Sequence, residues 1–65
     1  MKIELNGADA EVTETRLDLA LSELGYGDAL VATALNGEFV AVRARAETSL
    51  AAGDRLEVVA PLRGG

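Results

Sequence analysis

Residues 2–24, KIELNGADAEVTETRLDLALSEL, contain the change in hydrophobic period that decides the fold. Residues 2–5 alternate polar and apolar side chains, which is typical of a half-buried strand. Asn6-Gly7 follows, and this pair favours a tight hairpin turn because both positions accept a positive φ. Residues 8–12 then alternate again, so the stretch opens with a predicted β-hairpin.

The second half of this stretch predicts a helix over residues 15–24. Thr15 is a suitable N-cap, and Asp18 stands where a capping box places a glutamate. Gly25 follows the last apolar position, where a glycine commonly ends a helix. The apolar residues share the spacing of one helical stripe; they are Leu17, Ala20, Leu21 and Leu24.

Three further strands are predicted, over residues 30–35, 38–42 and 55–60. The first is almost wholly apolar, as in a strand buried on both faces. The second follows another Asn-Gly turn, Asn36-Gly37. The third ends before Pro61, because proline cannot donate to a sheet ladder.

Residues 43–48 have no clear period and are expected at the surface, with Arg43 and Arg45 as surface charges in preference to an anion-binding site. Residues 49–54 predict a short turn with Leu50 inside. The expected core consists of large apolar side chains from all of these elements: Ile3, Leu5, Val12, Leu17, Leu21, Leu24, Val31, Leu35, Leu50, Leu56 and Val58.

The resulting order, β-β-α-β-β-β, predicts an α+β fold in which one helix packs on one face of a sheet of about five strands. Sixty-five residues are enough for one small domain. We expect that domain over residues 1–61 and a flexible C-terminal tail over residues 62–65, since chain termini are commonly poorly ordered.

Composition and charge exclude several classes of function. The chain has no cysteine and no histidine, so it lacks the usual nucleophilic thiol, the usual neutral-pH base and the commonest metal ligands. We therefore expect no catalytic residue and no metal site. A net charge of −5 argues against nucleic acid but suits docking onto a basic protein surface. No apolar run is long enough to span a membrane, and no signal peptide is visible.

The C-terminal residues Gly64 and Gly65 are not explained by packing, because glycine contributes nothing to a core and costs the most entropy to order. A slender end of this kind can pass through a narrow channel and present its carboxylate to another protein. A carboxylate reacts only after activation, for example as an acyl-adenylate. The sequence has no GxxxxGK[ST] phosphate-binding loop, so the activation would come from a partner enzyme that uses ATP.

Several stretches together resemble the β-grasp, ubiquitin-like sulfur carriers, and among them the ThiS family of thiamine synthesis. The resemblance covers essentially the whole chain. It rests on residues 1–7 (MKIELNG), residues 31–40 (VATALNGEFV), residues 50–61 (LAAGDRLEVVAP) and the terminal Gly64-Gly65.

The resemblance implies a role as protein co-substrate rather than enzyme. An E1-like adenylyltransferase would adenylate the Gly65 carboxylate with ATP and Mg²⁺, while this chain would bind no cofactor of its own. Sulfur from a cysteine desulfurase system would then give a C-terminal thiocarboxylate. Thiazole synthase would receive that sulfur, in the cytoplasm.

Other residues and other pathways complete the expectation. Leu62, Arg63 and Gly64 would accompany Gly65 into the partner's active site. Phe39 and Val40 could belong either to the core or to a docking patch. Related carriers serve molybdopterin synthesis and tRNA thiolation, and a ubiquitin-like binding or conjugation module is the alternative from another class.

Overall fold

The computed structural model describes residues 1–60, which form a five-stranded mixed sheet with one α-helix on one of its faces. This confirms the α+β, β-grasp expectation. The expected end of the domain at Pro61 and the tail over residues 62–65 lie outside the described residues. The elements are β1 (Lys2–Leu5), β2 (Ala8–Glu11), α1 (Leu17–Glu23), β3 (Ala32–Leu35), β4 (Glu38–Val40), a 3₁₀ helix (Val42–Glu47) and β5 (Arg55–Val59).

The strand order is β2-β1-β5-β3-β4, so the last strand of the chain lies at the centre of the sheet. It runs parallel to β1, with Leu5 opposite Leu56, and antiparallel to β3. The two outer pairs, β1 with β2 and β3 with β4, are antiparallel hairpins. Since β5 is paired on both sides, the chain leaves the sheet from its most central strand.

Both predicted Asn-Gly turns are confirmed. Asn6 and Asn36 have φ angles of 49° and 51°, and the glycines after them have 86° and 87°. Two consecutive positive φ angles define the turn type whose twist matches that of the flanking strands. The two hairpins therefore have the same turn chemistry in the same places.

The core lies between α1 and the inner face of the sheet. The stripe predicted for α1 is confirmed, because Leu17, Ala20 and Leu21 are buried and Leu24 is half-buried. Every other residue of the expected core is also buried or half-buried. The buried apolar side chains of the core are Ile3, Val12, Leu17, Ala20, Leu21, Leu50, Leu56 and Val58.

The predicted start of the helix is wrong by two residues. Thr15 is not the N-cap: its carbonyl accepts a hydrogen bond from the Leu50 N–H at 2.7 Å, and the Leu17 N–H donates to the Thr48 carbonyl at 2.9 Å. Arg16 is therefore held extended in a bridge to Ser49, and the helix begins directly after it at Leu17. A long-range strand pairing has replaced the local cap.

The helix ends as the sequence predicts. Gly25 follows the last helical turn with a φ of 97°. Its N–H donates to the Ser22 carbonyl at 3.1 Å, and the Tyr26 N–H donates to the Leu21 carbonyl at 2.9 Å. This pair of bonds is the Schellman motif, which satisfies carbonyls that the end of a helix leaves without partners.

The region from residue 30 differs from its prediction. Instead of a strand buried on both faces, β3 starts only at Ala32 and Leu30 is 74% exposed. The physical reason is that α1 covers one face of the sheet, and no other element within residues 1–60 packs on the opposite face of β3. The next strand, β4, ends at Val40, and residues 42–47 form the 3₁₀ helix rather than a continuation of the strand.

Candidate functional site

The face of the sheet opposite α1 is divided into a charged half and an apolar half. The charged half is formed by β1 and the beginning of β5, where Arg55 lies opposite Glu4. On the other half, Ala32 lies opposite Val59 and Ala34 lies opposite Phe39. The apolar half is therefore built by β3, β4 and the end of β5.

A cavity of about 640 Å³ adjoins this apolar half where β5 ends. Leu30, Val42 and Val59 line it and are 74%, 71% and 61% exposed. Ala60, the last described residue, also lines it. We call this cavity the exit groove, because the chain leaves the described structure beside it.

Large exposed apolar side chains on a small protein usually mark a site of interaction. Three such side chains in one groove, with Phe39 nearby on the same face, make the apolar half a candidate docking surface. The walls of the exit groove come from separate parts of the chain, namely the loop before β3, the 3₁₀ helix and β5. The sequence prediction missed the groove, because Leu30 and Val42 were assigned to strands.

The sequence leaves Phe39 and Val40 open as core or docking residues, and the structure places them on different sides of the sheet. Phe39 is 73% exposed on the apolar half. Val40 is half-buried and packs against the core. Alternation along β4 accounts for the difference, since neighbouring side chains of a strand point to opposite faces. Docking by either residue remains a prediction.

Arg45 is the residue whose environment differs most from its prediction. The expectation of a surface charge is wrong, because only 9% of its surface is exposed and it lies in the wall of the exit groove. Its Nε donates to Thr33 Oγ1 at 3.1 Å and its Nη2 donates to the Val31 carbonyl at 2.6 Å. The guanidinium thus ties the 3₁₀ helix to β3 and to the loop before it.

No carboxylate within residues 1–60 lies within 4.0 Å of the Arg45 guanidinium. Its polar contacts in that range are neutral oxygens, and Thr33 Oγ1 in turn donates to the Val40 carbonyl at 2.8 Å. Arg45 therefore connects three segments through hydrogen bonds rather than through an ion pair. These contacts support a structural role, in which Arg45 holds the wall of the exit groove together.

Among residues 1–60, the carboxylates of Asp18 and Glu23 have perturbed pKa values, and neither lines the exit groove. The N–H groups of Glu14 and Thr13, together with the Thr13 hydroxyl, donate to Glu23 and lower the pKa of that carboxyl. A hydrogen bond from Arg16 lowers the pKa of Asp18. Both carboxylates are engaged in fixing the ends of α1.

The residues expected to carry the chemistry, Leu62, Arg63, Gly64 and Gly65, lie outside the described residues, and their roles remain predictions. Within residues 1–60, no group of three or more acidic side chains could hold a metal ion. In that same part of the chain, no helix is long and apolar enough to cross a membrane.

Comparison with known proteins identifies the family. A family model described as the ThiS family matches residues 3–65. Among solved structures, the chain is similar to the thiamine biosynthesis protein ThiS from Geobacter metallireducens, with a TM-score of 0.82 and 29% identity over the full length of both chains. No curated protein matches. The chain therefore belongs to the ThiS family, whose members are small sulfur carrier proteins of thiamine synthesis rather than enzymes.

Proposed function

We propose that the chain carries sulfur on the carboxylate of Gly65 as a C-terminal thiocarboxylate. The observation that carries this proposal is the family match, which extends through Gly64 to Gly65. The composition supports it, because a chain without cysteine has no thiol on which to hold sulfur. The carboxylate is the group left for that task, and it needs activation before it can accept sulfur.

Activation is an adenylation by an E1-like enzyme that binds ATP and Mg²⁺. An oxygen of the Gly65 carboxylate attacks the α-phosphorus of ATP, and pyrophosphate leaves. The terminal sulfur of a persulfide made by a cysteine desulfurase system then attacks the acyl carbon, and AMP leaves with the oxygen that linked it. A thiol then reduces the sulfur–sulfur bond, which releases the thiocarboxylate. Thiazole synthase takes the sulfur from the thiocarboxylate, and the whole sequence runs in the cytoplasm, where ATP is available.

The apolar half of the sheet face opposite α1 contacts these enzymes. Phe39 and the exit groove form an apolar patch beside the point where the chain leaves β5. A partner bound there would hold the domain while Leu62, Arg63, Gly64 and Gly65 extend into its active site. Four extended residues reach about 13 Å, which is enough to enter a channel from a docked surface.

The test is pyrophosphate exchange into ATP, which reports reversible adenylation of the carboxylate. The wild-type chain and a chain lacking Gly65 are each incubated with the E1-like enzyme of a thiamine operon. We expect exchange with the wild-type chain and none with the shortened one, while the circular dichroism spectra of the two chains agree.

The same assay separates the related pathways. Activating enzymes of molybdopterin synthesis and of tRNA thiolation are tested in parallel, each with its own carrier as a positive control. Exchange with only one of those enzymes would move the chain to that pathway. Absence of exchange with all three active enzymes would remove the carrier function and favour a ubiquitin-like binding module.

A further inference from the structure

The side chain of Asn6 extends the sheet beyond the end of β1. The parallel ladder between β1 and β5 ends with Leu5 opposite Leu56, and the Asn6 N–H donates to the Leu56 carbonyl at 3.0 Å. The chain then turns away. At that point Asn6 Nδ2 donates to the Val58 carbonyl at 3.1 Å, and the Val58 N–H donates to Asn6 Oδ1 at 2.8 Å.

One carboxamide thus gives Val58 the donor and the acceptor that a neighbouring strand would supply. On the other side of β5, Val58 lies opposite Thr33 of β3. Both backbone polar groups of Val58 are therefore bound by Asn6, two residues before Ala60, the last described residue. Ala60 precedes a proline, and a proline disfavours helical backbone at the residue before it. The backbone is therefore expected to stay extended from Val58 to Ala60.

We propose that Asn6 is a positioning residue for the sulfur-transfer end of the chain. Its carboxamide fixes the direction in which the chain leaves β5, and hence the point from which the tail would extend into the activating enzyme. This inference rests on the proposed function, and Asn6 itself takes no part in the chemistry. Small displacements of a reacting group lower rates strongly, about a hundredfold for 1 Å in unfavourable cases.

Asn36 offers a matched control within the same molecule. It occupies the same place in the second Asn-Gly turn, with a φ of 51° against 49° for Asn6. Its Oδ1 accepts from the Arg55 N–H at 2.9 Å and its Nδ2 donates to Asp54 Oδ1 at 3.2 Å. Asn36 therefore holds the beginning of β5, whereas Asn6 holds the end from which the chain leaves.

The experiment compares Asn6→Gly with Asn36→Gly. Glycine keeps the positive φ of each turn and removes only the carboxamide, so both variants lose the same kind of contact. Steady-state kinetics of adenylation are measured with the E1-like enzyme at a temperature where both variants are folded. Amide hydrogen exchange of Val58 is measured on the carriers alone. Should Asn6→Gly fail to fold, Asn6→Asp replaces it in the kinetic measurement only, because aspartate tolerates this φ and cannot donate to the Val58 carbonyl but still accepts from the Val58 N–H.

We expect Asn6→Gly to lower kcat about tenfold, with KM changed less than about twofold because the docking surface is intact. Asn36→Gly should leave both constants within about twofold of wild type. The Val58 amide should exchange faster in Asn6→Gly only. Equal kcat values for the two variants would overturn the inference. Unchanged protection of Val58 in Asn6→Gly would also overturn it, and that measurement needs no enzyme, so it stands apart from a failure of the proposed function.

Discussion

At the scale of single residues, Arg45 makes the clearest prediction about stability. Arg45→Met removes the donor to the Val31 carbonyl and the donor to Thr33 Oγ1. We expect a loss of about 1–3 kcal/mol in the free energy of unfolding, because buried acceptors would lose their hydrogen bonds. Urea unfolding followed by circular dichroism measures this loss.

Arg43→Met is the control, because Arg43 belongs to the same 3₁₀ helix but is exposed. Exposed substitutions usually change stability by less than about 0.5 kcal/mol. Equal effects of the two substitutions would contradict the structural role that we assign to Arg45.

Glu23 makes a prediction about pH at the same scale. Its carboxylate accepts from the Glu14 and Thr13 N–H groups, so its pKa is lower in the folded chain than in the unfolded chain. The stabilisation is therefore present above the ordinary glutamate pKa and is lost as the pH falls through the lowered one. Glu23→Gln should make the unfolding midpoint in urea fall less steeply over that acid range.

A wild-type slope in Glu23→Gln would mean that the contacts between Glu23 and residues 13–14 do not stabilise the fold.

The residues that sequence analysis missed owe their roles to distant partners. Arg45 stands in an Arg-Ala-Arg-Ala run with no period, and arginine is rarely buried. Its burial depends on Thr33, which reaches it only once β3 and the 3₁₀ helix are assembled. Asn6 was recognised as a turn residue from Asn-Gly alone, but its bonds to Val58 span 52 positions of the chain.

At the scale of elements, Gly25 tests how the end of α1 is built. Its φ is 97°, and a Cβ at this position would meet open space. Gly25→Ala therefore adds conformational strain without a clash, and we expect a loss of about 1 kcal/mol in the free energy of unfolding. The chain is short enough for chemical synthesis, so D-alanine at position 25 provides a matched control.

D-alanine adds the same methyl group but favours a positive φ. It should keep or raise the wild-type stability in the same urea titration. If the L and D forms were equally destabilised, strain at this φ would not be the cause, and the assignment of the Schellman motif as the stop of α1 would be wrong.

The elements that the sequence predicted well are those with local determinants. Both hairpins follow from Asn-Gly pairs, and α1 follows from an apolar stripe and its terminal glycine. The start of α1 could not be predicted in this way, because residues 15–17 pair with residues 48–50. The extent of β3 could not be predicted either. The apolar run from residue 30 does not indicate that, within residues 1–60, only one face of the sheet is covered.

At the scale of the whole molecule, the charged and apolar halves of the sheet face opposite α1 predict where the proposed activating enzyme would bind. Phe39→Ala should raise Kd about tenfold, as truncation of a buried aromatic anchor commonly does. Its exposure in the free protein means that stability should change little. Isothermal titration calorimetry with the E1-like enzyme measures the change.

Leu19→Ala is the matched control, because Leu19 is also exposed but lies on α1, on the opposite side of the sheet. Its Kd should stay within about twofold of wild type. A larger effect at Leu19 than at Phe39 would place the docking surface on the helix.

The net charge of −5 adds a dependence on salt. If the partner's surface is basic, added salt should slow association more than it speeds dissociation, because screening acts mainly on long-range attraction. Stopped-flow association rates at low and high salt test this expectation. A rate independent of salt would leave the apolar half as the source of recognition.

The chemistry itself was predicted from the Gly64-Gly65 end and from the resemblance to ThiS, since packing alone gives those residues no role. The ThiS family model matches through residue 65, which supports a chemical role for this end of the chain. The proposed docking surface could be found only from the structure, because its residues are separated in sequence and become neighbours only when the end of β5 lies beside the loop before β3 and the 3₁₀ helix.

The central claim is that Gly65 carries the sulfur, and intact-protein mass spectrometry tests it most directly. The chain is incubated with ATP, Mg²⁺, a sulfide source and the E1-like enzyme of a thiamine operon, and the product is fragmented to locate any change in mass. We predict the replacement of one oxygen by sulfur, confined to the fragment that ends at Gly65 and absent when Gly65 is deleted. An unchanged mass, with an enzyme that converts its own carrier, would contradict the account.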